Sequence, residues 1–77
     1  MTTVHFELKQ AGPVQVVVYN LQGGVVRTLV NEAYGAGAHQ VRWNGTDANG
    51  TPVASGTYFV RFASGGVSST LKAALIK

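Results

Sequence analysis

Apolar and polar side chains alternate along this chain with a period of two, and Gly- and Asn-rich breaks interrupt the alternation at roughly 8–12-residue intervals. That period puts successive side chains on opposite faces of an extended backbone, so it dictates strands. Nowhere does a 3.6-residue apolar pattern persist beyond one turn, which argues against helix. Val4, Phe6 and Leu8 alternate with His5, Glu7 and Lys9 as a strand with one buried face. After Gly12-Pro13, Val14, Val16 and Val18 carry a second strand. Val17 and Tyr19 between them predict burial on both of its faces. Asn20-Leu21-Gln22-Gly23-Gly24 is a turn, across which 25–30 pairs back as a hairpin.

Residues 31–38, with Gly35 and Gly37, read as a loop. His39, Val41 and Trp43 share one side of a fourth strand. Turn-forming residues dominate 44–56. Tyr58, Val60 and Phe62 then alternate with Phe59, Arg61 and Ala63 in a fifth strand. Ser64-Gly65-Gly66 reverses the chain, and 67–76 returns as the last strand, with Leu71, Ala73 and Leu75 predicted to face the core. Six or seven short strands with regular turns imply an all-β, immunoglobulin-like antiparallel sandwich of two sheets, folding as a single domain over 1–77.

With 77 residues, folding buries only about 60% of the unfolded chain's surface, enough for one thin core. There is no cysteine, so no disulfide crosses it and no thiolate metal site supports it. Trp43 and Tyr58 must therefore fill the space between the sheets, each burying on the order of 150–250 Å². Six Lys+Arg against three Asp+Glu give a net charge of +3. The cations stand singly rather than in a patch, which argues against nucleic acid as a partner. No apolar run is longer than 16–19 or 73–76, so no segment provides a membrane-spanning helix.

Several stretches carry a family resemblance. Gly12-Pro13-Val14, Val18-Tyr19-Asn20-Leu21-Gln22-Gly23, Val26-Arg27-Thr28-Leu29-Val30 and Trp43-Asn44-Gly45-Thr46-Asp47-Ala48-Asn49-Gly50 belong to it. So does Pro52-Val53-Ala54-Ser55-Gly56-Thr57-Tyr58-Phe59-Val60-Arg61. Together they resemble the immunoglobulin-like domain related to the flagellar hook-capping protein. They are also similar to the type IX secretion C-terminal sorting domains of Bacteroidetes-type secreted proteins. In those domains a Gly-x-Tyr-x-Val motif precedes a Lys-bearing last strand, matched by Gly56-Thr57-Tyr58-Phe59-Val60 and by Leu71-Lys72-Ala73-Ala74-Leu75-Ile76-Lys77. The residues that carry the structural motif are Trp43, Gly45, Asp47, Gly50, Gly56 and Tyr58.

The candidate sites are few. Asp47-Ala48-Asn49-Gly50 invites a calcium reading, but no register of the EF-hand loop fits: with Asp47 third, Gly45 and Gly56 fall at ligand positions. The favoured reading is Asx-type turns with Gly45 and Gly50 at positive φ, and a bound cation is the lesser alternative. His5 and His39 would make a metal pair if their strands adjoined, but the favoured reading is two surface histidines. Glu7, Glu32 and Asp47 lie on a strand, a loop and a turn, and no serine sits in a nucleophile elbow, so no catalytic residue and no cofactor is expected. Asn44-Gly45-Thr46 and Asn49-Gly50-Thr51 match the glycosylation acceptor, read here as by-products of Asn-Gly turns. Tyr34 and Phe59 are candidates for a sugar-binding platform.

The resemblance implies a noncatalytic C-terminal sorting or cell-surface anchoring module of a longer secreted bacterial protein. Export or surface-attachment machinery would recognise it, with an amino-terminal cargo domain ahead of it in the parent chain. Arg61, Val67, Leu71, Lys72 and Lys77 are the expected recognition residues. Two alternatives stand beside it: an accessory carbohydrate-binding or spacer module of an extracellular glycoside hydrolase, and a self-assembling structural domain of the hook-cap kind.

Overall fold

A computed structural model describes residues 2–76. Among them six strands form, and no helix: β1 (Thr2–Leu8), β2 (Gly12–Tyr19), β3 (Val25–Tyr34), β4 (Gly37–Trp43), β5 (Gly56–Ser64) and β6 (Val67–Leu75). β1 and β4 make a two-stranded antiparallel sheet. β3-β2-β5-β6 make a four-stranded antiparallel one. The predicted sandwich is therefore the observed one, though its layers are unequal.

Register explains which residues are inside, because directly paired residues lie on the same side of a sheet. Val16 pairs with Val30 and Phe62, and Val18 pairs with Val60. On the other layer Val4 pairs with Val41. These meet in a core of Val4, Leu8, Val14, Val16, Val18, Val30, Trp43, Val60 and Leu75. The β-branched residues fill the middle, and aromatic groups close the two ends. At one end Tyr58 meets Trp43 edge-on, with ring centroids 5.1 Å apart at 71°. At the other, Phe6 stacks on Tyr34 at 5.5 Å and tilts against Phe62 at 5.0 Å. His39 completes that end, with its ring 4.8 Å from Tyr34 and its Nε2–H donating to the Gly35 carbonyl at 2.7 Å.

Two expectations need correction. The loop assigned to 31–38 shrinks to two residues, because β3 continues through Tyr34, pairing Gln15 with Asn31 and Gly12 with Tyr34. β3 is an edge strand whose polar tail faces water, so it lacks the alternation that marks a half-buried strand. Its pairing also shifts between Val16 and Val17 and again between Val18 and Tyr19. Extra residues there turn Leu29 and Val26 toward the core, where they pack against it. Finally, Leu71 does not reach the core. It pairs with Val60 and so sits on the core side of β6, yet it is 48% exposed. Two strands cannot cover four: β6 meets β1 over part of its length, and its 67–71 portion overhangs the smaller sheet.

The connector 44–55 crosses the Trp43 end and ties the layers together. The Trp43 indole N–H donates to the Thr46 carbonyl at 2.8 Å. Arg27 donates to the Thr46 hydroxyl, which in turn donates to Asn44 Oδ1. The Val53 N–H donates to the Gly45 carbonyl at 2.9 Å, and the Ala48 N–H to the Val26 carbonyl at 3.2 Å. Gly45 is held at φ +79°, and a Cβ there would lie 3.1 Å from Leu75 Cδ2. Only a glycine lets the connector lie on the last core residue of β6.

Two stability results are expected. Trp43→Ala should cost about 3–5 kcal/mol, a large share of the roughly 4–12 kcal/mol available to a domain of this size. Leu71→Ala should cost under about 0.5 kcal/mol. Urea unfolding of both variants checks the contrast, and equal losses would contradict the overhang. Gly45→Ala should lose about 1–3 kcal/mol through its strained φ and its contact with Leu75. Gly50→Ala, with φ +81° but open space around it, should lose less, as paired thermal melts would reveal.

Candidate functional site

Asp47 acts as a turn former. Its Oδ1 accepts the N–H of Asn49 at 2.9 Å and that of Thr51 at 3.0 Å. Its backbone N–H donates to the Thr51 carbonyl at 2.9 Å, and its carbonyl accepts from Gly50 at 3.0 Å. Gly45 and Gly50 take the positive φ expected of them. The Asx-turn reading therefore accounts for the Asp47 carboxylate. No group of three or more His, Cys, Asp or Glu side chains converges among the described residues.

The two histidines illustrate how register decides a site. β1 and β4 do adjoin, but His5 pairs with Gln40 and His39 with Phe6. Neighbouring register positions lie on opposite faces, so the imidazoles face away from each other. Glu7, Glu32 and Asp47 are likewise separated, on β1, on β3 and in the connector. Tyr58 and Gly56 serve structure: the Tyr58 hydroxyl donates to the Ala54 carbonyl at 2.6 Å, which fixes the connector onto the start of β5.

The expected recognition residues divide between two surfaces. Arg61 pairs with Val17 and Thr70, and Lys72 with Phe59, so both cations stand on the outer face of the four-stranded sheet. Val67 and Leu71 stand on the core side of β6, in the overhang, and are 65% and 48% exposed. Lys77 lies outside the described residues. β6 is exposed over most of its length and is hydrogen-bonded on one side only, by β5. A depression of about 510 Å³ opens beside it, between Glu7, Leu8 and Lys9 of the β1 end and Phe62 and Val67.

The two proposed platform rings also part company. Tyr34 belongs to the aromatic cluster at the core end, whereas Phe59 is on the outer face. Its neighbour there is Tyr19, directly opposite in register. Alternation assigns Tyr19 and Val17 to one side of β2. Nothing within β2 says which residues of β5, forty positions later in the chain, will lie opposite.

The FlgD Ig-like domain family model matches residues 2–66. Among solved structures, FlgD from P. aeruginosa superposes with a TM-score of 0.73 at 27% sequence identity. The match covers 95% of this chain and 59% of that one, so the chain spans little more than half of the protein it resembles. No curated protein matches. The family match takes in the Gly12-Pro13 start of β2, the β2–β3 turn, the Trp43 connector and the whole of β5, and on that ground the chain belongs to the FlgD Ig-like domain family.

Proposed function

We propose that this chain is a noncatalytic structural module of the hook-cap kind, acting through contacts between folded protein surfaces. Its membership of the FlgD Ig-like domain family carries the reading. The physical state of β6 supports it. An edge strand with open backbone groups and exposed Val67 and Leu71 offers another strand both hydrogen bonds and apolar contact. The partner surfaces are further copies of the module. Sedimentation over a wide concentration range tests this. Association should rise with concentration, and Leu71→Lys should weaken it by about tenfold, equivalent to about 1.4 kcal/mol. A monomer at every concentration would contradict the proposal.

The exposed β5–β6 hairpin supports a second reading, in which the module is a C-terminal sorting or anchoring element of a secreted protein bound for the outer cell surface. Export machinery of the type IX kind would read Arg61, Val67, Leu71 and Lys72. Truncation is a poor test, since removing 71–77 takes Leu75 out of the core, where it is 4% exposed. Leu71→Asp and Lys72→Glu in the parent protein are cleaner. Both should leave the melting temperature within about 2 °C, as surface changes do, and abolish export of the cargo. Normal export of both variants would contradict this reading.

A further inference from the structure

Three rows of side chains cross the outer face of the four-stranded sheet, each running from β3 to β6. Val25, Tyr19, Phe59 and Lys72 form the first, and Thr28, Val17, Arg61 and Thr70 the second. Asn31, Gln15, Ala63 and Ser68 form the third, which lies in an open trough of about 410 Å³. Val17 is buried, although it lies outside the core cluster. It forms an apolar floor under its neighbours, and the rings of Tyr19 and Phe59 are half-buried beside it.

The charges on this face are of one sign. Arg61 and Lys72 are exposed and have no hydrogen-bond or ion-pair partner among the described residues. Among the described residues no carboxylate shares the face. Glu7 is in the other sheet, Glu32 pairs with core-facing Val14, and the Asp47 carboxylate is bound within its own turn. The remaining groups are amides and hydroxyls (Gln15, Asn31, Thr28, Thr70 and Ser68), which bond equally well to hydroxyl-bearing ligands.

We propose that this face binds an acidic polysaccharide, a polyuronate, with sugar rings stacked on Tyr19 and Phe59 and a ring carboxylate held by Arg61. Charge complementarity selects an anionic ligand. Size favours a linear polymer over a folded partner. Four strands about 4.8 Å apart and three rows about 6.6 Å apart give a flat footprint of roughly 380 Å², small beside a standard protein interface, which buries about 800 Å² of accessible surface per partner. Aromatic rings present an apolar body to the CH face of a pyranose. The planar guanidinium of Arg61 matches a carboxylate with two parallel N–H donors, while Lys72 adds a point charge. Gln15 and Asn31 take the sugar hydroxyls. This binding is independent of the β6 edge and of the structural role proposed above. The other depressions carry less: the one beside β1 is lined by Glu7 and Lys9 of opposite sign, and in the cleft of Arg27 and Arg42 the first guanidinium is already spent on Thr46.

Titrating the 77-residue chain with oligogalacturonate at low salt, followed by backbone amide NMR shifts, tests the proposal. A neutral xylo-oligosaccharide and a poly-glutamate peptide serve as comparisons. Shifts should concentrate in 15–19, 59–63 and 68–72. Affinity for the uronate should exceed that for either comparison by about tenfold and fall as salt rises. Arg61→Gln should lower it about fivefold or more with the melting temperature unchanged, and Phe59→Leu should weaken uronate and neutral sugar together. The proposal is overturned by absent shifts, by shifts confined to β1 or β4, or by a neutral sugar binding as tightly as the uronate. Poly-glutamate binding as tightly would instead identify an acidic protein segment as the occupant.

Discussion

The sandwich depends on how one indole is packed and anchored. Trp43 is fully enclosed, and its single polar atom would be costly to bury without a partner. The Thr46 carbonyl supplies that partner three residues later, which obliges the chain to fold back over the ring as soon as β4 ends. The turn that does so brings Gly45 onto Leu75 and thereby links the end of β4 to the end of β6. In a domain without a disulfide this is what joins the two sheets at that end. Tyr58, packed edge-on against the indole and bonded to Ala54, holds the other end of the same connector. The Trp-Asn-Gly…Asp…Gly run is thus a device for closing a thin sandwich, and its polar groups are consumed in doing so.

Much of this was legible in the residues. Alternation identified the faces of β1, β2, β4 and β5, and the Asn-Gly and Asp-Ala-Asn-Gly stretches identified turns, because both signals are local. Trp43 and Tyr58 stood out as core fillers because both are large and no disulfide crosses the space between the sheets. What escaped was set by layer width and register. Leu71 has the phase of a core residue and pairs with buried Val60, yet it is exposed because the opposite sheet has two strands against four. No window of sequence around Leu71 contains that fact. The tail of β3 was hidden for a related reason, since Asn31-Glu32-Ala33 on a free edge has no buried face to reveal it. Tyr34 and Phe59, alike in composition, were divided between the two sides of a sheet by pairings made with residues far away in the chain.

The same imbalance governs what the module can do. Its interior is consumed by packing, and the features that stand out lie on its surface. Unequal layers leave one overhanging strand with apolar side chains beneath it. Among the described residues, the outer face of the larger sheet is left without a covering layer or a carboxylate. The first suits strand-to-strand assembly, the second a hydroxyl-rich anionic polymer. They lie on different sides of β6, so both can be occupied in one molecule.

The most direct test of the central role of Trp43 is hydrogen exchange at its indole N–H, followed by NMR beside the backbone amides of Val16, Val18 and Val60. If the Trp43–Thr46 bond breaks only when the sheets separate, the indole proton will exchange as slowly as those amides and share their denaturant dependence. Exchange far faster than the core amides, insensitive to denaturant, would mean that the connector opens on its own and that something other than the anchored indole holds the layers together.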